Sequence, residues 1–299
     1  MAIEERFDRM ERFSGELGLA LPHPLMSQWK IPNDLFSLLS TSVALYVARA
    51  MHLSAVPLVD SDVSDLRVDA VDLRNVTPNG AIVPKTEYQI EYNLVLQHWS
   101  TICRVMFSNS PHLVTKFRTT PNIRIKFGTE QMSNVGRPLN TATPHSDAWV
   151  EGPWGFNCFV PIIGDVDKNT LLYYESENFD EEFITPSESY LSKQWVLDNY
   201  APIPNLRAQV GYVNITDFAL IHRTEMPEGC GTRISIDTTI HAGNHDVLPT
   251  RSAEYVSVIP EYGTKALVLC HRSERDKFES EKSAFEHYTK GSLETIQIG

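Results

Sequence analysis

From Ile3 to about His52 apolar and charged residues mix at three- and four-residue spacing. One face of an α-helix produces that period, so two helices are predicted there, the second opening with Asp34 as a cap ahead of Leu35-Phe36. The next stretch, to about Lys85, is rich in Asp, Val and Pro and carries a turn signal at Pro78-Asn79-Gly80, which predicts loop and short strand. Glu87 to Phe107 reads as one amphipathic helix with Ile90, Leu94, Trp99, Ile102 and Phe107 near one face. From Asn122 the pattern changes to short β-rich runs: Ile123–Phe127, Asn157–Ile162, Thr170–Tyr174, Phe218–Ile221 and Thr232–Ile236. Many short strands separated by turn residues predict a mainly β fold, a barrel or jelly roll, with flanking helices. A helix is expected near Ser187 to Tyr200, and the charged segment Ser273 to Lys290 reads as a terminal one. No repeat or Gly/Ser linker divides the chain. The expected organisation is therefore one domain over 1–299, with a mostly helical support (1–121), a β core (122–270) and a C-terminal helix (271–299).

Composition narrows the partners. The 299 residues are 42% hydrophobic and 21% charged, an ordinary globular balance that allows a substantial core. A net charge of −12 repels phosphate backbones and anionic lipid headgroups, so neither nucleic acid nor a membrane is an expected partner. Arg118, Arg124 and Lys126 cluster, and read as scattered surface charge. The four cysteines, Cys103, Cys158, Cys230 and Cys270, form no CxxC pair, which argues against a zinc ribbon, a dithiol site or a disulfide framework. The N-terminus lacks an apolar signal region, and the most apolar stretch, Leu35 to Val56, is broken by Ser and Arg. A cytoplasmic protein with reduced thiols is expected, and the N-x-T triplets at Asn75 and Asn214 are chance matches.

The sharpest chemical feature is His145-Ser146-Asp147, after Thr143-Pro144. In an extended strand residues i and i+2 point to one side, so imidazole and carboxylate can grip one ion. A second imidazole from a distant strand completes a facial triad, which leaves adjacent positions open on non-haem iron(II). His222, at the end of the strand-like Asp217–Ile221, is placed to supply it. Soon after comes Arg233-Ile234-Ser235, and a hairpin-like connection would turn Arg233 back into the same cavity. A guanidinium there suits a carboxylate by bidentate pairing, and the Ser235 hydroxyl on the same face adds a bond.

In this order His145-x-Asp147, His222 and Arg233-x-Ser235 resemble the active-site pattern of the iron(II)/2-oxoglutarate-dependent dioxygenases, specifically the phytanoyl-CoA-hydroxylase-like small-molecule oxygenases. The likeness spans roughly Asn122 to Ile240; Asn169-Thr-Leu-Leu-Tyr173 and Thr216-Asp217-Phe218 also fit it. The resemblance implies a double-stranded β-helix, with His145, Asp147 and His222 as catalytic metal ligands for iron(II). Arg233 and Ser235 would hold the far carboxylate of 2-oxoglutarate, and dioxygen would be the third reactant. The implied outcome is hydroxylation of a C–H bond in a small soluble molecule, such as a secondary metabolite, amino acid or sugar-like compound, with release of succinate and CO2. Desaturation, cyclisation and epimerisation share that chemistry. Related halogenases replace the carboxylate with a small residue, so Asp147 disfavours halogenation.

Secondary candidates carry two readings each. Asn157 either bonds the metal-bound carboxylate of 2-oxoglutarate or is structural, and Tyr173 either reaches the far carboxylate or is a core aromatic. Trp149 and Trp154 would wall a substrate or fill the core. Arg223 should face away from the metal and is the weaker substrate candidate. His241-Ala-Gly-Asn-His245 has zinc-like spacing, but Gly243 and Asn244 oppose a helix, which leaves a solvated loop near the cavity mouth. The helical third is a natural place for a homodimer interface. Two other readings remain: a cupin-like metalloenzyme that does not use 2-oxoglutarate, and a noncatalytic barrel acting as a binding module. The triad reading makes His145→Ala and His222→Ala inactive. Succinate release from 2-oxoglutarate measures this, and undiminished release by either variant refutes the assignment.

Overall fold

A computed structural model describes residues 3–53, 58–71, 73, 76–77, 79–84, 86–110, 113–118, 120–128, 144–149, 155–175, 193–242, 255–257, 265–270 and 293–298. In chain order its elements are α1 (Ile3–Leu17), β1 (Ala20–His23), β2 (Met26–Lys30), α2 (Asn33–Ala50), α3 (Asp60–Ser64), α4 (Gln89–Phe107), β3 (Val114–Arg118), β4 (Asn122–Lys126), β5 (Phe156–Gly164), β6 (Thr170–Glu175), α5 (Lys193–Asn199), β7 (Ala201–Pro202), β8 (Tyr212–Asp217), β9 (His222–Glu225), β10 (Arg233–Ala242), β11 (Tyr255–Ser257), β12 (Lys265–Cys270) and β13 (Leu293–Ile298).

The strand order makes a double-stranded β-helix. The major sheet runs β1-β2-β8-β5-β10, and the long β10 then carries β4 against Arg233–Asp237 and β3 against Ile240–Ala242. The minor sheet is β7-β6-β9, and an isolated bridge between His145 and His222 adds one more pairing to β9. From β5 to β10 the chain passes back and forth between the sheets, with β5, β8 and β10 in the major one and the β6–β7 pair and β9 in the minor one. All the described strand pairs in both sheets are antiparallel.

Period-two patterning explains why the sheets stack as they do. On β10, Ile234 and Ile236 point outward to join Cys158, Val160, Ile162, Ile123 and Ile125 under helices α1, α2 and α4. The helices contribute Met10, Phe13, Leu39, Val43, Val47, Val95, Trp99 and Ile102 to that core. Arg233, Ser235 and Asp237, the alternate residues of β10, face the other way. There the space between the sheets is filled by Phe159, Leu171, Tyr173, Leu206 and Leu220, with Leu25 and Met26 from the N-terminal third.

Several expectations change. The helix over 87–107 forms, and Trp99, Ile102 and Phe107 of its expected apolar face are buried, but Ile90 is 76% exposed. The buried face extends instead to Tyr92, Val95, Leu96, Cys103 and Met106. Asp34 lies in the first turn of α2, where its carboxylate meets the positive end of the helix dipole; Pro32 holds the cap position. Between the two N-terminal helices lies a hairpin, β1–β2, that the helical reading missed, and β2 pairs with β8 from Met26–Thr216 to Lys30–Tyr212. The turn at Asn79-Gly80 does form. Gly80 has φ +86°, and a Cβ there would sit 2.2 Å from the Ile125 carbonyl oxygen, so only glycine lets this segment lie on β4. The helix expected from Ser187 is described only as Lys193–Asn199, and Ser273 to Lys290 lies outside the described residues. Leu293–Ile298, within the tail read as helix, is a strand paired with β12. Among the described residues no helix is long and apolar enough to cross a membrane.

Helix α1 is tied to the barrel by charge. Arg6, with no exposed surface, donates to the equally buried Asp217 at the end of β8, and Arg9 approaches the second carboxylate oxygen at 3.6 Å. Asp217 also accepts from the Ala219 N–H at 2.8 Å, so the turn leading to His222 is built on this carboxylate. Removing one partner leaves an uncompensated buried charge. Arg6→Ala is expected to lower unfolding free energy by about 3–5 kcal/mol, read by chemical denaturation, and a loss below ~1 kcal/mol would contradict the role given to the pair.

Candidate metal centre and anion pocket

The two sequence-distant histidines are joined through their backbones. The His145 N–H donates to the His222 carbonyl at 3.0 Å, and the His222 N–H donates to the His145 carbonyl at 2.9 Å. Residues paired in this way carry their side chains on one face, and the two imidazole rings stand 4.5 Å apart between centroids. Asp147 joins them by a route other than strand alternation. The chain leaves its single bridge at His145 and turns into a 3-10 helix over Asp147–Trp149. Ser146, fully buried, donates its hydroxyl to the Phe218 carbonyl at 2.7 Å and accepts from Ala148 N–H, which pins the turn. As a result one ligating atom each from His145, Asp147 and His222 lies within 4.8 Å of the others. His145 Nε2 and Asp147 Oδ1 are 3.9 Å apart.

Supporting hydrogen bonds leave the right atoms free. His222 Nδ1 donates to the Leu220 carbonyl at 3.1 Å, a tautomer that keeps the Nε2 lone pair available. Asn157 Nδ2 donates to Asp147 Oδ2 at 2.8 Å, which occupies one carboxylate oxygen and leaves Oδ1 towards the histidines. Of the two readings of Asn157, a bond to the co-substrate or a structural role, this contact gives its amide to Asp147.

The second half of the site is a cluster of buried donors. Arg233 is 1% exposed, and its Nε and Nη1 have no hydrogen-bond partner among the described residues; the same holds for the buried Ser235 Oγ and Tyr173 hydroxyl. The guanidinium carbon stands 5.1 Å from the Phe159 ring centroid. Burial pushes the Arg233 pKa down to about 10, opposed by Tyr173 and Asp237, so it stays charged at neutral pH. Burial holds the Tyr173 phenol well above its ordinary value, which keeps it a donor. The two halves meet at Tyr173. It lies directly across from His222 in the minor sheet, with ring centroids 6.4 Å apart, and it feels the charges of both Arg233 and Asp147. The expected hairpin between His222 and Arg233 does not exist, because β9 belongs to the minor sheet and β10 to the major one. Arg233 comes from the opposite sheet.

The remaining candidates separate. Trp149 is 5% exposed and packs with Ala148, Leu172, Tyr174, Val196 and Phe218, so it is a core residue. Arg223 sits over the Tyr174 ring at 5.9 Å, on the strand face opposite to His222. Trp154 and His245 lie outside the described residues, and His241 falls within β10, not in a loop. Two residues were misread as surface charge. Arg124 grips Asp237 with two nitrogens, and Lys126 is only 8% exposed. Their position opposite Ser235 and Arg233 on β4 was the missing information.

No protein-family model and no curated protein matches the chain. Among solved structures, a non-haem α-ketoglutarate-dependent epimerase of nogalamycin biosynthesis, SnoN, aligns over 78% of this chain and 83% of its own, at 10% identity and TM-score 0.42. AviO1 from Streptomyces viridochromogenes Tue57 aligns over 82% and 97%, at 13% identity and TM-score 0.43. A Trichoplax adhaerens prolyl hydroxylase, solved with a peptide fragment of hypoxia inducible factor, aligns over 78% and 91%, at 11% identity and TM-score 0.41. These superpositions are partial. The barrel follows from the strand order above, and the chemistry open to the site follows from its side chains.

Asn157→Ala removes the bond that orients Asp147. Iron(II) affinity, measured anaerobically by competition with a colorimetric chelator, is expected to fall about 10–100-fold, and an unchanged affinity would show that the amide does not support the carboxylate.

Proposed function

We propose that this chain is an iron(II)- and 2-oxoglutarate-dependent oxygenase that hydroxylates a C–H bond of a small soluble molecule. The observation that carries the proposal is the buried guanidinium of Arg233, whose Nε and Nη1 have no hydrogen-bond partner among the described residues, joined to the His145–Asp147–His222 cluster through Tyr173. A buried cation without an anion costs several kcal/mol, a large share of the roughly 5–15 kcal/mol that stabilises a domain. An incoming carboxylate removes that cost.

The residues fit the group in kind. Two neutral imidazoles and one carboxylate are the donor set that suits ferrous iron with open positions. Ferrous iron so held, with 2-oxoglutarate and dioxygen, supplies oxidative decarboxylation to succinate and CO2 coupled to oxidation of a substrate C–H bond. His145, His222 and Asp147 would hold the metal, with Asn157 and the Leu220 carbonyl orienting two of them. Arg233 would accept the far carboxylate of 2-oxoglutarate, with Ser235 and Tyr173 donating hydroxyls to it. Phe159, Leu171 and Leu220 exclude water from this end, which strengthens each of those bonds. Retention of Asp147 supports oxygen transfer over halide transfer. The net charge of −12 favours a soluble small molecule, in the class of secondary metabolites, amino acids or sugar-like compounds, over a nucleic acid.

Anaerobic titration tests the proposal. A visible charge-transfer band that requires both iron(II) and 2-oxoglutarate supports it. Metal binding indifferent to 2-oxoglutarate favours a cupin-like enzyme, and no metal binding favours a binding module. In Arg233→Ala, iron(II) affinity should be kept while the 2-oxoglutarate dissociation constant rises roughly 100-fold or more, the scale of two hydrogen bonds to a charged group. Equal weakening of both would place Arg233 at the metal instead.

A further inference from the structure

Lys126 is a buried lysine that no part of the site described so far uses. It ends β4 directly opposite Arg233 in the antiparallel ladder, so the two side chains leave the sheet on the same face with Cβ atoms about 5 Å apart. It is 8% exposed, and among the described residues it has neither a hydrogen-bond partner for its ammonium nor a salt bridge. The charged groups that face it are Arg124 on its own strand, and Arg233 and Asp237 on β10. Asp237 is already committed, since Arg124 holds both of its oxygens and Asn122 donates to it at 3.2 Å. The segment packed on the other side of β4 brings Gly80 towards the lysine stem and carries no charge over Asn79–Ile82. Among the described residues three cations and one carboxylate therefore lie together, and the excess positive charge stands beside Arg233.

We propose that Lys126 is the second cation of the co-substrate pocket, closing on the same carboxylate as Arg233. The inference rests on the 2-oxoglutarate reading of that pocket and adds a residue and a pH response to it. Burial, with the guanidiniums of Arg124 and Arg233, pushes Lys126 down to about 7 against the opposing pull of Asp237. An arriving carboxylate favours the charged form and raises that value, so binding takes up a proton whenever the empty pocket holds the neutral amine. The sign follows. Below about 7 the lysine is already charged and affinity is level; above it each pH unit weakens binding, by at most tenfold, until the pKa of the bound state is reached.

The test is 2-oxoglutarate binding to the full chain saturated with iron(II) under anaerobic conditions, followed by the charge-transfer band between pH 6.5 and 8.5. Wild type is expected to bind more weakly as pH rises, while Lys126→Met binds roughly ten- to a hundredfold more weakly at the low end and shows a flat profile. Lys126→Arg, which keeps the charge, should recover affinity at the high end. Thermal unfolding of the metal-free protein separates binding from scaffolding. Loss of an unbalanced buried charge should leave the midpoint of Lys126→Met unchanged or raised, and a lowered midpoint would make the lysine structural and overturn the proposal. Wild-type affinity independent of pH, or equal affinity in Lys126→Met, also overturns it while leaving the oxygenase reading intact. Failure of wild type to bind 2-oxoglutarate at any pH would remove both.

Discussion

Two backbone hydrogen bonds, exchanged between His145 and His222, hold the candidate centre together. They join a segment with one bridge residue to a four-residue strand, and they put two imidazoles side by side from far apart in the chain. Everything else in the site is referenced to that pair. The far edge of β9 pairs with β6, which sets Tyr173 across from His222. The turn after His145 brings in Asp147, and Ser146 fastens that turn to the Phe218 carbonyl, in the same loop that carries the chain to His222. A loosened bridge would cost the centre its second imidazole and the registration of its carboxylate together.

The site between the sheets has two chemically unlike ends. One presents lone pairs from two imidazoles and a carboxylate. The other presents donors and positive charge from Arg233, Ser235 and Tyr173 beside the Phe159 ring. A ligand that chelates at its head and carries an anion at its tail matches both ends at once. The arrangement is expensive without such a ligand, because buried polar groups lacking partners work against folding. The fold tolerates it with support from elsewhere, in the helix-covered outer face of the major sheet and in the Arg6–Asp217 contact under the His222 turn.

The patterning of the chain disclosed a good deal of this. Short β-rich runs bounded by turn residues marked β5 and β10 as strands, and the two-residue spacing placed Arg233 and Ser235 on one face. His-x-Asp, the distal histidine and the Arg-x-Ser pair were legible as residue types in a telling order. Local reasoning also misled in instructive ways. It put Asp147 in a strand because i and i+2 share a face there, whereas a buried serine bonded across the barrel makes a turn that achieves the same convergence. It read Arg124 and Lys126 as surface charge, since charged residues in a short run usually are. It filled the N-terminal third with helix and missed the hairpin whose second strand extends the major sheet.

The sequence by itself determined which side chains could ligate a metal or hold a carboxylate, and which faces of the strands had to be buried, because both follow from residue chemistry and short-range periodicity. Only the tertiary structure decided that His222 and Arg233 approach from opposite sheets, that Asn157 serves Asp147, and that Lys126 and Arg6 lie inside. Those facts depend on which strands become neighbours. Strand pairing joins residues distant along the chain, so burial and charge environment are properties of the closed barrel and not of any segment within it.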